Sequence, residues 1–129
     1  MSSFTTALIV ALGDGRRWRV VYPFTYRVGS KDSLECITVP ANFDTDFASV
    51  PKILWFLPYW AKYNKPGPLH DYLYKVKQIM GQPITRKRAD DIFYESMLVD
   101  FRDHRSGPVI AWLEYRAVRL FAWMAWGKA

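Results

Sequence analysis

Residues 66–97 read PGPLHDYLYKVKQIMGQPITRKRADDIFYESM, and the fold turns on how this stretch is parsed. Leu69, Tyr72, Leu73, Val76 and Met80 recur at helical spacing, and Gly81 is placed to end that run. Thr85 can cap a second helix, on which Ala89, Ile92, Phe93, Ser96 and Met97 form one stripe. The link between them, MGQPIT, is short, which favours antiparallel packing of the two helices.

Upstream, the chain reads as strands. TTALIVAL and RRWRVVYPFTYRV flank Gly13-Asp14-Gly15, a hairpin signal. Pro23 marks a bulge or an edge position. LECITVP alternates and suits a third strand. ANFDTDFASVP then reads as a loop leading to a helix start, with Ser49 as N-cap, Pro51 in the first turn and Pro58 closing the short run. Downstream, Ser106 is placed to cap a last helix, Pro108 to start it and Gly127 to end it. The expected fold is α+β: one domain over 1–129, with a small N-terminal antiparallel sheet or hairpin followed by three main helices.

The 129 residues are 50% hydrophobic and 17% aromatic, enough for a real core, and at 23% charged they do not suit disorder. Cys36 is the only cysteine, which excludes an intrachain disulfide and a cysteine-built metal site. No basic region precedes the first apolar stretch, so no secretory signal is expected. The C-terminal run PVIAWLEYRAVRLFAWMAWGKA carries Glu114, Arg116 and Arg119, each costing roughly 2.5–3.5 kcal/mol at a bilayer centre. A buried or interface helix is expected there, not a membrane span. The net charge of +6 favours anionic partners in general. Nucleic-acid, nucleotide-loop, kinase and nicotinamide-cofactor motifs are absent.

Helical geometry sorts the polar residues of the opening stretch. His70 and Tyr74 lie one above the other, on the flank of the apolar stripe. Asp71 points about 100° further round. Asp90 flanks the stripe of the second helix, whereas Asp91 points away from it. Packing of the two helices would bring His70 to Asp90, where a carboxylate on one ring nitrogen fixes the tautomer and leaves the other to accept a proton. Asp71 would be free to bind a cation, with Asp46 a further oxygen ligand. The bland alternatives stand beside this. His70 and Asp71 also suit a helix start, where Asp favours the positive dipole end. Asp46 also suits a turn cap, Asp90 a simple pair with a basic residue or a cap on the turn of Thr85, and His104 a polar loop. The last helix has more apolar positions than one face can hold. A shared partner surface is expected around Trp112, Trp123 and Trp126.

HDYLY (70–74) followed by ADDIF (89–93) resembles the His-Asp-x-x-Tyr and Asp pattern of sn-2 phospholipases, above all the viral capsid version. That resemblance implies His70 as the base that activates water, Asp90 and Tyr74 as its positioning partners, and Asp71 as a calcium ligand. The glycine-rich calcium loop of that family is replaced here by YNKPGP. A broader resemblance rests on four segments: TDFASVPKILW (45–55), LHDYLY (69–74), RADDIFYESM (88–97) and EYRAVRLFAW (114–123). In this order they resemble a family of short tailed-bacteriophage and prophage proteins known as a domain of unknown function. It implies a virion-associated protein of the tail or tail tip, made in the host cytoplasm, with other phage structural proteins as partners. The alternative is a His-Asp hydrolase, phospholipase-like or cell-envelope-degrading, used in entry or lysis. Calcium is the one cofactor in view for it, and phospholipid or cell envelope its target.

Overall fold

Proline decides where the first sheet divides. The segment 16–28, expected as one strand, breaks at Val21–Pro23, because Pro23 has no N–H to continue a ladder. A computed structural model describes residues 3–4, 8, 10–12, 18–30, 32–45, 57–62 and 64–128 of the chain. Among these, strands β1 (Ser3–Phe4), β4 (Phe24–Arg27) and β5 (Cys36–Val39) form one antiparallel sheet in the order β1-β4-β5. Strands β2 (Val10–Leu12), β3 (Trp18–Val20) and β6 (Asp44–Thr45) form a second, in the order β2-β3-β6. Val10 faces Val20 and Leu12 faces Trp18 across β2 and β3, so the segments flanking the Gly13-Asp14-Gly15 signal do pair. The signal itself lies outside the described residues.

Side-chain alternation tells which face of the first sheet is inward. Phe24 and Tyr26 of β4 and Ile37 and Val39 of β5 are buried. On the other face the Thr25 and Thr38 hydroxyls bond at 2.8 Å. The stretch 41–51 was expected as loop throughout, yet its Asp44 and Thr45 pair with Arg19 and Trp18. Asn42, at φ 67°, turns the chain into that strand, and its N–H bonds Val20 O at 2.7 Å. Ser49, Pro51 and the short helix expected after them lie outside the described residues.

Three longer helices follow, with two short ones: α1 (Tyr59–Lys62), α2 (Pro66–Val76), α3 (Arg86–Asp100), α4 (Gly107–Phe121) and α5 (Trp123–Lys128). The α+β architecture is as expected, but three boundaries differ. Helix α2 ends at Val76, a turn before Gly81, because Lys77 adopts a left-handed φ of 55° and its N–H caps Leu73 O at 2.8 Å. The link MGQPIT is part of a small hairpin, β7 (Gln78–Ile79) with β8 (Gln82–Pro83). Its two-residue turn puts Met80 at φ 50° and Gly81 at φ 82°, so Met80 faces solvent and not the helix stripe. The last helix breaks at Ala122, with Gly127 inside the short piece that follows. Ser106 holds the N-cap position of α4 without a side-chain bond, since its ψ of 0° is not the extended cap conformation. Thr85 does cap α3, accepting from Arg88 N at 3.1 Å.

Helix α3 is central. Ala89 and Ile92 join the core under the first sheet, with Phe24, Tyr26, Leu69 and Leu73. Phe93, Met97 and Phe101, at its end, join a second core with Leu57, Ala61, Ile110 and Ala117. Glu95 ties the sheet to α3, accepting from the Tyr26 hydroxyl at 2.5 Å and Gly29 N at 2.9 Å. The α3–α4 turn is tight: a side chain at Gly107 would meet Phe101 O at 2.4 Å, so only glycine fits. His104, expected as a plain loop residue, stacks on Trp60 at 3.6 Å in that turn. Among the described residues no helix is long and apolar enough to cross a membrane.

Candidate functional site

Asp90 is fully buried on α3, between the two cores. Its position on the flank of the apolar stripe turns it toward α2 and α4. His70 and Tyr74, one helical turn apart on α2, both reach the same oxygen. His70 Nε2 lies 2.7 Å from Asp90 Oδ1, and the Tyr74 hydroxyl donates to that oxygen at 2.6 Å. The other oxygen, Oδ2, accepts from Arg119 Nη1 of α4 at 2.8 Å. Arg86, one turn before Asp90 on its own helix, adds a second guanidinium at 3.6 Å. Arg86 also donates to Val118 O and Arg119 O at 3.2 Å each, closing carbonyls near the C-terminal end of α4.

The electrostatics follow from this donor set. Burial opposes ionisation of Asp90, but hydrogen bonds from His70, Tyr74 and Arg119 outweigh it and hold its pKa below the usual carboxylate range. Burial, then the bond to Asp90, pushes the Tyr74 phenol up, so it stays a donor at any ordinary pH. An Asp90 carboxylate on Nε2 selects the tautomer with its proton there, leaving Nδ1 as the acceptor. This is the arrangement a general base needs. His70 is nonetheless only 2% exposed, with its ring packed between Tyr74 at 4.2 Å and Phe93 at 4.5 Å. Two surface clefts of about 490 and 390 Å³ flank the β7–β8 hairpin, and neither is lined by His70 or Asp90.

The expected metal ligands part company with this cluster. Asp71 does not stand free, because the Thr45 hydroxyl of β6 donates to its Oδ2 at 2.5 Å. Asp46 lies outside the described residues. Among the described residues, no group of three or more His, Cys, Asp or Glu is placed to hold a metal ion. Calcium wants roughly six to eight oxygens, and one hydrogen-bonded carboxylate does not fit that need. Asp91, expected to point away, bonds Lys87 at 2.7 Å and the Tyr115 hydroxyl at 2.7 Å near the surface.

Of the three tryptophans expected at a partner surface, Trp112 and Trp123 are exposed, at 51% and 60%. Trp126 is committed to the fold: its ring meets Tyr74 edge-on at 5.1 Å and lies under Lys77 Nζ. Sequence reasoning allowed Asp90 a basic partner but did not single out Arg119 or Arg86. It also missed Glu114, which is 6% exposed on the same face of α4 as Ile110, Ala111, Ala117 and Val118. Its Oε2 makes no hydrogen bond among the described residues, and burial pushes its pKa up to about 8. The available signal was position: Glu114 falls on the inward face of an apolar helix, where a charge must be paired or neutral.

Two stability experiments follow from these charges. Asp90→Asn leaves Arg119 and Arg86 facing a neutral amide, and removing one partner of a buried ion pair costs about 3–5 kcal/mol. The midpoint of urea unfolding at pH 7 is expected to fall accordingly; an unchanged midpoint would mean the network carries no stability. Glu114 has the opposite sign of pH dependence to Asp90. Its folded pKa is raised from 4.5 to about 8, so the native state holds a proton that the unfolded chain releases. Its stabilisation is full below pH 4.5 and is lost as pH rises through about 8, by about 1.4 kcal/mol per tenfold change in proton affinity. Glu114→Gln should therefore match the parent chain near pH 4 and exceed it near pH 9. Parallel pH profiles for the two proteins would refute the buried neutral carboxyl.

No curated protein and no solved structure matches the chain. Residues 18–118, from β3 through most of α4, match the family described as "Protein of unknown function (DUF1353)". That span holds His70, Tyr74 and Asp90 and stops one residue short of Arg119, and with the greater part of the chain matched, the protein belongs to the DUF1353 family.

Proposed function

We propose that this chain is a docking subunit of a tailed-bacteriophage particle, in the tail or tail tip, that holds neighbouring structural proteins through the outer side of α4. It is made in the host cytoplasm and ends in the virion. One observation carries the docking part. Val109, Trp112 and Leu120 are all more than half exposed and share one helical face, with Phe121, Trp123 and Met124 exposed just beyond. Scattered surface apolar groups are ordinary, but exposed apolar side chains that share one face of α4 and run on into α5 favour an interaction surface. The phage setting is supported by the four-segment resemblance drawn from residues 45–123.

The test is the composition of purified particles. Mass spectrometry is expected to detect the chain, and Trp112→Ala combined with Leu120→Ala should lower its copies per particle about tenfold or more. Both side chains are exposed, so the unfolding midpoint should hold. Particles lacking the chain, or incorporation of the double variant at the parent level, would remove the proposal.

A second reading, a His-Asp hydrolase, is favoured by the 2.7 Å contact of His70 with Asp90 and the Tyr74 hydroxyl beside it. Here His70 Nδ1 would take the proton of an attacking water, with Asp90 and Tyr74 as positioning residues. Its seclusion means a substrate would reach it only after local opening. Under this reading, phospholipid vesicles release fatty acid with the parent chain and not with His70→Ala, with or without calcium. Equal background release from both proteins would dismiss it for that substrate.

A further inference from the structure

The outer face of α4 has a charge at its centre. Val109, Trp112, Arg116 and Leu120 follow at spacings of three, four and four residues, so they lie along one line of the helix. Arg116 sits between Trp112 and Leu120 on that line and is exposed. It makes no hydrogen bond or ion pair among the described residues. This contrasts with Arg119 and Arg86, both engaged with Asp90. From His104 to the end of the sequence the only acidic residue is Glu114, and it is buried. Among the described residues the helix therefore presents an apolar stripe with the Arg116 guanidinium unpaired in its middle, while the carboxyl of Glu114 lies on the buried face.

We infer that α4 seats in an apolar cleft of a different protein, which places a carboxylate opposite Arg116. This rests on the docking role proposed above and names the chemistry of the partner. The charge pattern selects among occupants. A bilayer favours helices whose cations flank the apolar sector, where they reach the headgroups. A guanidinium at the sector's centre would instead be pressed toward the acyl chains. A second copy related by a two-fold axis through this face would pair it with itself, bringing two Arg116 side chains together with no exposed acid of α4 between them. A carboxylate in a protein cleft answers the guanidinium directly, and in bidentate geometry, while the cleft takes Trp112 and Leu120. Tryptophan and arginine side by side are also the residue types that dominate binding energy at such contacts.

The experiment uses the full chain and three substitutions of the one exposed residue. Arg116→Glu should lower incorporation into particles about a hundredfold, because a like charge is placed in a closed contact. Arg116→Lys should stay within about tenfold of the parent. In extract of cells that make the chain naturally, a carbodiimide should couple the amine introduced by Arg116→Lys to an Asp or Glu of another protein. Peptide mapping of that bond identifies the partner and the carboxylate. Three results would overturn the inference: no coupling at position 116 together with equal behaviour of Arg116→Glu and the parent; coupling to a second copy of this chain; or binding to phosphatidylglycerol vesicles that tightens in Arg116→Leu. Loss of incorporation in the Trp112 and Leu120 double variant, with Arg116→Glu unaffected, would leave the docking role standing and remove only the acidic partner. Full incorporation of the double variant would remove the docking role itself and this inference with it.

Discussion

A single ionised carboxylate with no exposure to water organises the helical half of this protein. Asp90 is 0% exposed, and an ion so placed costs several kcal/mol unless donors replace its hydration. Those donors come from both neighbouring helices: His70 and Tyr74 from α2, Arg119 from α4. Arg86 supports them from α3 itself. Each donor has to arrive within hydrogen-bond reach of one of two oxygens. A slip of α2 or α4 by one residue would swing its donors about 100° away. The hydrophobic stripes bring the helices together, but apolar contact tolerates sliding. The charge network does not, and it fixes the register.

The same network frames what His70 can do. The ring meets Asp90 Oδ1 through Nε2 at 2.7 Å, wedged between Tyr74 and Phe93. That role suits a strut as well as it suits a base. The difference lies in access to Nδ1, which separates the docking reading from the hydrolase reading. The phospholipase resemblance anticipated the contacts of His70, Tyr74 and Asp90. It carried no counterpart for Arg119, whose guanidinium occupies the second Asp90 oxygen. It also led to a calcium ligand at Asp71, where the structure has a hydrogen bond from Thr45.

Much of the fold was legible because period and punctuation agree. The stripe Ala89, Ile92, Phe93, Ser96 and Met97 is buried as one face, and Thr85 caps it. The contact of His70 with Asp90 followed from two helices joined by a short link. What could not be read were features set by distant partners. Asp44 and Thr45 carry turn-forming chemistry but become a strand because β3 offers a free edge. Met80 continues the α2 stripe on paper. The pairing of Gln78–Ile79 with Gln82–Pro83 overrides it and leaves Met80 in a hairpin turn. Arg119 looked like one more charge against a membrane span, because nothing local marks which guanidinium a buried acid on another helix will claim.

The last long helix shows how three charges in one apolar segment acquire three separate fates. Glu114 faces inward among Ile110, Ala111, Ala117 and Val118, where burial, with no hydrogen bond to its Oε2 among the described residues, favours its neutral form. Arg119 lies on the flank facing α3, where its guanidinium reaches Asp90 at 2.8 Å while its stem covers apolar surface. Arg116 points outward. In the sequence all three argue equally against a bilayer span. In the structure the first two are explained by what they touch, and the third is not. Among the described residues Arg116 has no such contact, and its charge is left to water or to the acidic partner inferred above. The contrast with its two neighbours is what makes Arg116, rather than the more conspicuous tryptophans, the informative residue on this face.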